Sequence, residues 1–264
     1  MRGRSMRISP ARRFMGDFLW ASRGMPLVVF ERRMHLARLV ETCARVGERP
    51  MWTAMFAKAF GLVSRDMPAL RRAYVKFPWP HFYETAGAVA AVTIEREYQG
   101  EDSIFIAQLK RPEDLKLTDI SQRIGVFAKT PIEGIKDFVR AMRLTGLPRP
   151  LRRILWWLGL NIGRQRANYF GTFGLTSVAS EGAMHQSVLS PLSFTITYGV
   201  IDTDGTIAVQ LAFDHRVIDG RAAARALARL EEALVGPIAD EVGNEWPIDK
   251  GFSSSAVRNT AFKS

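Results

Sequence analysis

The sequence predicts an α/β (α+β) fold in which helices pack against a β-sheet. Two amphipathic stretches, residues 34–46 and 52–63, carry apolar residues at the three-to-four spacing of one helix face. Two further segments, residues 88–109 and 193–213, contain apolar runs rich in β-branched and aromatic residues, interrupted by turn sequences with Gly and Asp, as β-hairpins do. Each amphipathic helix could therefore cover one face of a sheet.

The length and composition indicate a globular chain. Its 264 residues, 47% of them hydrophobic, suffice to bury a core. No internal repeat divides the sequence, so we predict one domain, residues 1–250, and a disordered Ser-rich tail, residues 251–264. The net charge of +11 favours anionic partners such as phosphates, CoA, acidic carrier proteins or lipid headgroups. Nucleic acid is not expected, because only the charge supports it.

The cysteine and histidine content argues against disulfides and metal sites. A single cysteine, Cys43, excludes an intrachain disulfide and suits a reducing cytoplasm. His35, His81 and His185 have no partner at metal-ligand spacing, so we assign them no role and expect no metal. The first residues lack an uninterrupted apolar signal segment, and no stretch of about 18 apolar residues occurs. We expect neither export nor a membrane span, and a cytoplasmic location.

Two local signals predict helix boundaries. Thr-Pro-Ile-Glu at 130–133 has the pattern of an N-cap, a Pro at the first helical position and a capping-box Glu, so a helix should begin there. After Asp-Gly at 219–220, an Ala-rich stretch with leucines on one face predicts a helix that ends at Gly-Pro, residues 236–237.

The main catalytic candidate is His215. It follows a predicted strand directly and precedes a predicted helix, a position where rigid elements can aim a side chain into a cleft. A neutral imidazole can take a proton from a thiol, hydroxyl or amine as that group attacks a thioester. Asp219 either caps the following helix or ties the loop to an arginine, and both roles can coexist. Gly220 would permit a sharp turn.

The run Asp-His-Arg-Val-Ile-Asp-Gly at 214–220 resembles the His-x-x-x-Asp-Gly signature of a known family. That family is the acyltransferase catalytic domain of the 2-oxoacid dehydrogenase complexes, which is similar in fold to chloramphenicol acetyltransferase. The likeness continues through the preceding strand and the following helix. It implies a mixed β-sheet flanked by helices, His215 as general base, a catalytic Asp219, and CoA or acyl-CoA as substrate.

A second stretch, Gly-Thr-Phe-Gly-Leu-Thr-Ser-Val-Ala at 171–179, resembles the family's Gly-x-Phe-Thr-x-Ser-Asn-x-Gly segment. Thr176 falls on the hydroxyl that in this family donates to the oxyanion, and Ser177 is the alternative. The stretch has Thr for the usual Ser and lacks the Asn and the final Gly. Both residues could instead be strand-edge residues bonded to backbone. The resemblance further implies homotrimers, or higher assemblies of trimers, in which Thr176 and His215 come from different chains.

The 264 residues contain neither the lipoyl domain nor the partner-binding domain of a complete dehydrogenase-complex acyltransferase. We therefore expect no covalently bound lipoyl group in this sequence. Lipoyl groups would arrive on another polypeptide, or the acceptor would be an alcohol, an amine or a lipid, which we favour. The predicted function is acyl transfer from a CoA or carrier thioester to a small thiol, hydroxyl or amine. The alternative is a catalytically silent scaffold subunit.

The segment 150–158 combines arginines with adjacent tryptophans, Trp156 and Trp157. Such a composition occurs in helices that lie at membrane interfaces. Core packing is the favoured interpretation, and peripheral membrane contact through this segment is the alternative.

Overall fold

The computed structural model describes residues 1, 3–46, 50–177 and 189–246. The strands of these ranges are β1 (Leu27–His35), β2 (Arg72–Val75), β3 (His81–Glu84), β4 (Val89–Tyr98), β5 (Glu101–Lys110), β6 (Phe173–Thr176), β7 (Phe194–Ile201) and β8 (Thr206–Asp214). Six of them form one sheet in the order β1-β8-β7-β6-β4-β5, while β2 and β3 form a separate hairpin. The predicted tail, residues 251–264, lies outside the described residues.

The six-stranded sheet is mixed. β6 runs parallel to both of its neighbours, β4 and β7, whereas the other pairs are antiparallel. Both predicted hairpins are confirmed as β4–β5 and β7–β8. The β4–β5 turn places Gln99 and Gly100 at positive φ, as a two-residue hairpin connection requires.

Helices cover both faces of the sheet. They are α1 (Pro10–Ser22), α2 (Ala37–Arg45), α3 (Trp52–Asp66), α4 (Leu117–Lys129), α5 (Lys136–Thr145), α6 (Arg149–Asn161), α7 (Gly163–Phe170), α8 (Gly220–Ala233) and α9 (Ala239–Glu245). α3, α4 and α8 contact one face, with α2 and α9 packed against them, and α1, α5 and α7 contact β4 and β5 together with α6 on the other. This arrangement confirms the predicted mixed sheet flanked by helices.

The helix predicted from residue 34 begins later, at Ala37. Met34 and His35 are the last residues of β1 and pair with Ile207 and Thr206 of β8. Strand pairing therefore overrides the helical spacing of the apolar residues here. The second amphipathic helix is confirmed as α3, which extends three residues beyond the predicted end to Asp66.

The predicted helix start at 130–133 is wrong. Thr130 is the C-cap of α4, and a single 3-10 turn, Ile132–Gly134, separates it from α5. α5 begins at Lys136 without a capping side chain. At the other predicted boundary, α8 ends at Ala233 and a π-helical turn leads directly into α9, with Gly236 taking a non-helical conformation before Pro237.

The main core lies between the sheet and α3. Phe56 of α3 stacks on Tyr198 of β7 with ring centroids 4.4 Å apart, and Phe60 packs against Phe173 of β6 at 4.7 Å. Burial raises the pKa of the Tyr198 hydroxyl, which shares a hydrogen bond of 2.7 Å with Thr53. These aromatic contacts hold β6, which carries part of the predicted oxyanion segment, and its neighbour β7 against the helical layer.

α1 is tied to α6 by a buried ion pair. Ser9 caps α1, accepting a hydrogen bond from the Arg12 backbone, and Pro10 is the first helical residue. The buried carboxylate of Asp17 accepts a hydrogen bond of 2.7 Å from Arg152 of α6. A buried carboxylate needs such a partner, so α1 has a defined position over the second helical layer.

The two adjacent tryptophans of α6 have different environments. Trp156 is 2% exposed and packs against Phe14, Phe18 and Phe170, as expected of a core residue. Trp157 is 44% exposed and contacts Phe77. Among the described residues, no helix is both long enough and apolar enough to cross a bilayer.

Replacing each tryptophan in turn tests this packing. We expect Trp156→Ala to lower the free energy of unfolding by about 3–5 kcal/mol, because it leaves a cavity among three aromatic rings. Trp157→Ala should cost less than about 1.5 kcal/mol, because its side chain is half-exposed. Urea unfolding followed by circular dichroism measures both. Equal losses would contradict the assignment of Trp156 alone to the core.

Candidate active site

His215 lies in a turn directly after β8, as predicted. Its side chain is exposed, and its backbone N–H donates a hydrogen bond of 3.3 Å to the Pro26 carbonyl oxygen. The imidazole packs beside Phe213, with ring centroids 5.8 Å apart. The ring is thus supported on one side and open to a reactant on the other.

The turn that carries His215 is fixed by an ion pair between its neighbours. Asp214 is fully buried. Arg216 forms a bidentate ion pair with its carboxylate, with Nε 2.9 Å from Oδ1 and Nη2 2.7 Å from Oδ2. The Arg216 backbone N–H also donates to Oδ1, at 3.0 Å. The Arg216 guanidinium lies 4.3 Å from the ring centroid of Tyr74 in β2. Bidentate pairing of this kind restrains both side chains and the backbone between them.

A second arginine lies in the electrostatic environment of Asp214. Arg166 of α7 is buried and donates a hydrogen bond of 2.8 Å to the Pro191 carbonyl oxygen. Burial lowers the pKa of its guanidinium to about 10, and the negative charge of Asp214 opposes that shift. The group therefore stays positively charged at neutral pH, and Arg166 and Arg216 together outweigh the single charge of Asp214.

Asp219 caps α8 in this structure. Its Oδ1 accepts a hydrogen bond of 2.8 Å from the Ala222 N–H, and no arginine pairs with it among the described residues. The expected tie between the loop and an arginine is instead made by Asp214. Gly220 is the first residue of α8, and a Cβ there would lie 2.9 Å from Cζ of Phe30. Close approach, and not a sharp turn, therefore explains the glycine.

The two candidate oxyanion residues differ in their contacts. Ser177 donates a hydrogen bond of 2.9 Å from Oγ to the Tyr198 carbonyl oxygen. Thr176 ends β6 and lines a large cavity, and no hydrogen bond to its hydroxyl occurs among the described residues. Thr176 is therefore the better placed of the two to donate to a ligand. The last two residues of the matching segment, 178 and 179, lie outside the described residues.

Thr176 and His215 are far apart within one chain. Thr176 pairs with Thr197 of β7, which pairs with Gln210 of β8. His215 lies beyond Gln210 toward the opposite end of the sheet, because β8 is antiparallel to β7 and β7 is parallel to β6. At about 3.3 Å per residue, the five residues from Gln210 to His215 give a separation along the strand direction of about 16 Å. One chain therefore does not bring these two residues into a common site.

The cavity beside Thr176 has a volume of about 960 Å³. Its walls are formed by α1, α5, α6 and α7 on one side and by β4, β5, β6 and the start of β7 on the other. His215 does not line it.

Two of the remaining histidines, His35 and His81, do not line this cavity. His35 lies 3.3 Å from the Thr206 hydroxyl and His81 lies 2.8 Å from the Trp79 carbonyl oxygen, while His185 is outside the described residues. Within the described ranges, no group of three or more His, Cys, Asp and Glu side chains is arranged to hold a metal ion.

No protein-family model and no curated protein matches the sequence. Solved structures do match. A probable dihydrolipoamide acetyltransferase from Listeria monocytogenes 4b F2365 is 16% identical with a TM-score of 0.62, over 92% of this chain and 97% of that one. A truncated catalytic core of the 2-oxoacid dehydrogenase multienzyme complex from Thermoplasma acidophilum is 15% identical with a TM-score of 0.64, over 89% and 99%.

A chloramphenicol acetyltransferase structure matches as well, with 12% identity and a TM-score of 0.52, over 86% of this chain and 96% of that one. The chain has the chloramphenicol acetyltransferase-like acyltransferase fold. At these identities the likeness concerns the fold, and it spans nearly the full length of each of these structures. The acyltransferase fold was expected from the His-x-x-x-Asp-Gly run, and the expectation is confirmed.

Sequence reasoning missed Asp214 and Arg166. The signal for Asp214 was present, because an Asp and an Arg flank His215 directly. Arg166 gave no comparable signal, since it precedes Asp214 by 48 residues in the chain and only the packing of α7 brings the two residues near each other.

The capping role of Asp219 can be separated from a role of its charge. We expect Asp219→Ala to lower the free energy of unfolding by about 1 kcal/mol, because α8 loses its N-cap. Asp219→Asn should be nearly neutral, because the amide oxygen also caps. Thermal unfolding of both variants measures the difference. A loss in Asp219→Asn as large as in Asp219→Ala would contradict the capping role.

Proposed function

We propose that this protein transfers an acyl group from a CoA or carrier thioester to a thiol, hydroxyl or amine acceptor. The observation that carries the proposal is His215, exposed at the end of β8 in an acyltransferase fold and restrained by the Asp214–Arg216 ion pair on either side of it. The catalytic residues that we assign are His215 and Thr176. We assign Asp219 a positioning role, because it caps the helix that follows the histidine loop.

In the proposed mechanism, His215 acts as a general base. Its neutral imidazole takes the proton from the acceptor as the acceptor attacks the thioester carbonyl carbon, which forms a tetrahedral intermediate. The Thr176 hydroxyl donates a hydrogen bond to the oxyanion of this intermediate. Collapse breaks the carbon–sulfur bond, and the imidazolium returns its proton to the departing thiolate. No covalent enzyme intermediate forms.

The proposed site lies between subunits of a homotrimer. The distance between Thr176 and His215 in one chain supports this, since both must reach the same carbonyl group. A ring of three chains repeats one heterologous contact, so each interface could join the histidine of one chain to the threonine of the next. The two reactants would enter such an interface from opposite ends.

The positive charge of the protein supports a CoA substrate. The net charge is +11, and Arg166 and Arg216 add positive potential beside the histidine turn. Such a field attracts the phosphates of CoA and raises the rate of encounter at low salt. The acceptor that we favour is an alcohol, an amine or a lipid, while a lipoyl group carried by another polypeptide is the other acceptor that the fold permits.

Acyl-CoA turnover by wild type and His215→Ala tests the function. Release of free CoA thiol is followed with dihydrolipoamide, amines and alcohols as acceptors. We expect kcat/KM to fall by about 10²–10⁴ in His215→Ala, because the general base is lost. His35→Ala, which removes an exposed histidine at the end of another strand, should not change it. Equal turnover in wild type and His215→Ala would refute the proposal and favour a catalytically silent scaffold subunit.

Subunit mixing tests whether the site is shared. His215→Ala and Thr176→Val should each be inactive or nearly so, since removal of one oxyanion donor costs about 10²–10³ in kcat. Co-expressed at equal levels, the two variants should recover activity at about a quarter of the interfaces of random trimers, where an intact histidine faces an intact threonine. Activity in the mixture no higher than in the separate variants would refute a site shared between chains.

A further inference from the structure

The cavity beside Thr176 is lined mainly by hydrocarbon. Large apolar side chains come from several elements around it, among them Phe14 and Phe18 of α1, Ile104 and Ile106 of β5, and Leu155 and Leu158 of α6. Its volume of about 960 Å³ is at the upper end of what small-molecule sites contain. One water molecule takes about 30 Å³ of the liquid, and an acetyl group is only a few times larger than that. The cavity is therefore far larger than an acetyl group requires.

The charged residues of this cavity lie at its mouth. Glu95, Arg140 and Arg143 are exposed, and Asp137, next to Arg140, is 44% exposed at its side chain. Arg140 also lies over the ring of Tyr169, 5.5 Å from its centroid. The interior therefore offers an apolar ligand no buried charge, while the mouth offers charge to a polar head group.

Two hydroxyl groups mark one wall of the cavity. Thr176 ends β6, and Thr195 lies on the adjacent strand β7. Thr195 is 4% exposed, and its hydroxyl has no hydrogen-bond partner among the described residues. A buried hydroxyl without a partner costs free energy unless a ligand or water satisfies it. The wall thus offers a ligand two hydroxyl groups, on residues that are diagonal neighbours on adjacent strands, in a mainly apolar space.

We propose that this cavity binds the hydrocarbon chain of a long-chain fatty acyl thioester, with the thioester carbonyl beside Thr176 and Thr195. The inference rests on the proposed function, because it names the donor of the same reaction. The apolar walls select a long hydrocarbon chain over a short polar acyl group. Each methylene that the cavity removes from water should raise affinity about fourfold until the cavity is filled.

A chain-length series tests this proposal. Turnover of acyl-CoAs from acetyl to palmitoyl is measured with one acceptor, and kcat/KM should rise by at least a hundredfold from acetyl-CoA to the preferred long chain. Ala141→Trp places an indole on the cavity wall and should reduce the ratio of long-chain to acetyl kcat/KM at least tenfold. Ala141→Leu should shift the preference by fewer carbons. Lys136→Trp, on the same helix but outside the lining, should leave the ratio unchanged.

Binding is measured separately from turnover. The fluorescent fatty acid cis-parinaric acid is bound to His215→Ala and displaced by palmitoyl-CoA, and thermal unfolding checks that each variant is folded. Ala141→Trp in the His215→Ala background should weaken the displacement at least tenfold.

Failure of the long-chain proposal can be distinguished from failure of the proposed acyl-transfer function. Turnover of acetyl-CoA with no gain from longer chains, and no binding of cis-parinaric acid, would overturn the long-chain proposal while acyl transfer stands. Binding that Ala141→Trp weakens, without turnover of any thioester by wild type, would support the cavity as a hydrocarbon site and remove the proposed enzymatic function.

Discussion

The buried carboxylate of Asp214 is the constraint on which the C-terminal half of this structure depends. A carboxylate removed from water is stable only when charge and hydrogen bonds replace its hydration. Arg216 contacts both oxygens, and its guanidinium lies over Tyr74 in the separate β2–β3 hairpin. Arg216 therefore joins the end of the main sheet to a second sheet, through an ion pair on one side and a cation–π contact on the other, with His215 between the paired residues.

The same residue organises the chain beyond the turn. The Asp214 carbonyl oxygen accepts a hydrogen bond of 2.8 Å from the Val217 N–H. Ile218 then enters the core, and Asp219 caps α8. Between the end of β8 and the start of α8, the Asp214 carbonyl oxygen, the Ile218 side chain and the Asp219 carboxylate therefore each have a structural partner. The imidazole of His215 remains exposed, which is why a reactive role for this side chain fits the local structure.

The parts of the fold predicted correctly are those that depend on local sequence. The β4–β5 and β7–β8 hairpins follow from alternation and from short turns, as the conformation of Gln99 and Gly100 illustrates. The wrong helix start at Thr130 has the opposite cause. A residue with the chemistry of an N-cap ends the preceding helix instead, where Arg96 of β4 donates a hydrogen bond to its carbonyl oxygen. Met34 likewise belongs to a strand because β8 pairs with it.

The cavity could not be predicted from the sequence, for a related reason. Ser193, Thr195 and Thr197 alternate with apolar residues along β7, a pattern typical of a strand with one face in water. The structure buries all three, because a second helical layer covers that face. That layer comes from helices distant in sequence, and α1 owes its place to the contact of Asp17 with Arg152. Local patterns indicate that a face is polar, but they do not show whether solvent or a cavity lies above it.

The topology of the sheet divides the proposed site into two parts. Thr176 ends β6 and the cavity lies over the sheet face beside it, whereas His215 follows β8, which runs the other way and ends beside the start of β7. No rearrangement of a loop can bring them together, because both are attached to strands of one hydrogen-bonded sheet. If the protein transfers acyl groups as proposed, the selection of the acyl chain resides in one subunit and the general base in its neighbour. Assembly is then part of the chemistry, because an isolated chain can bind the hydrocarbon but lacks a base within reach of its carbonyl group.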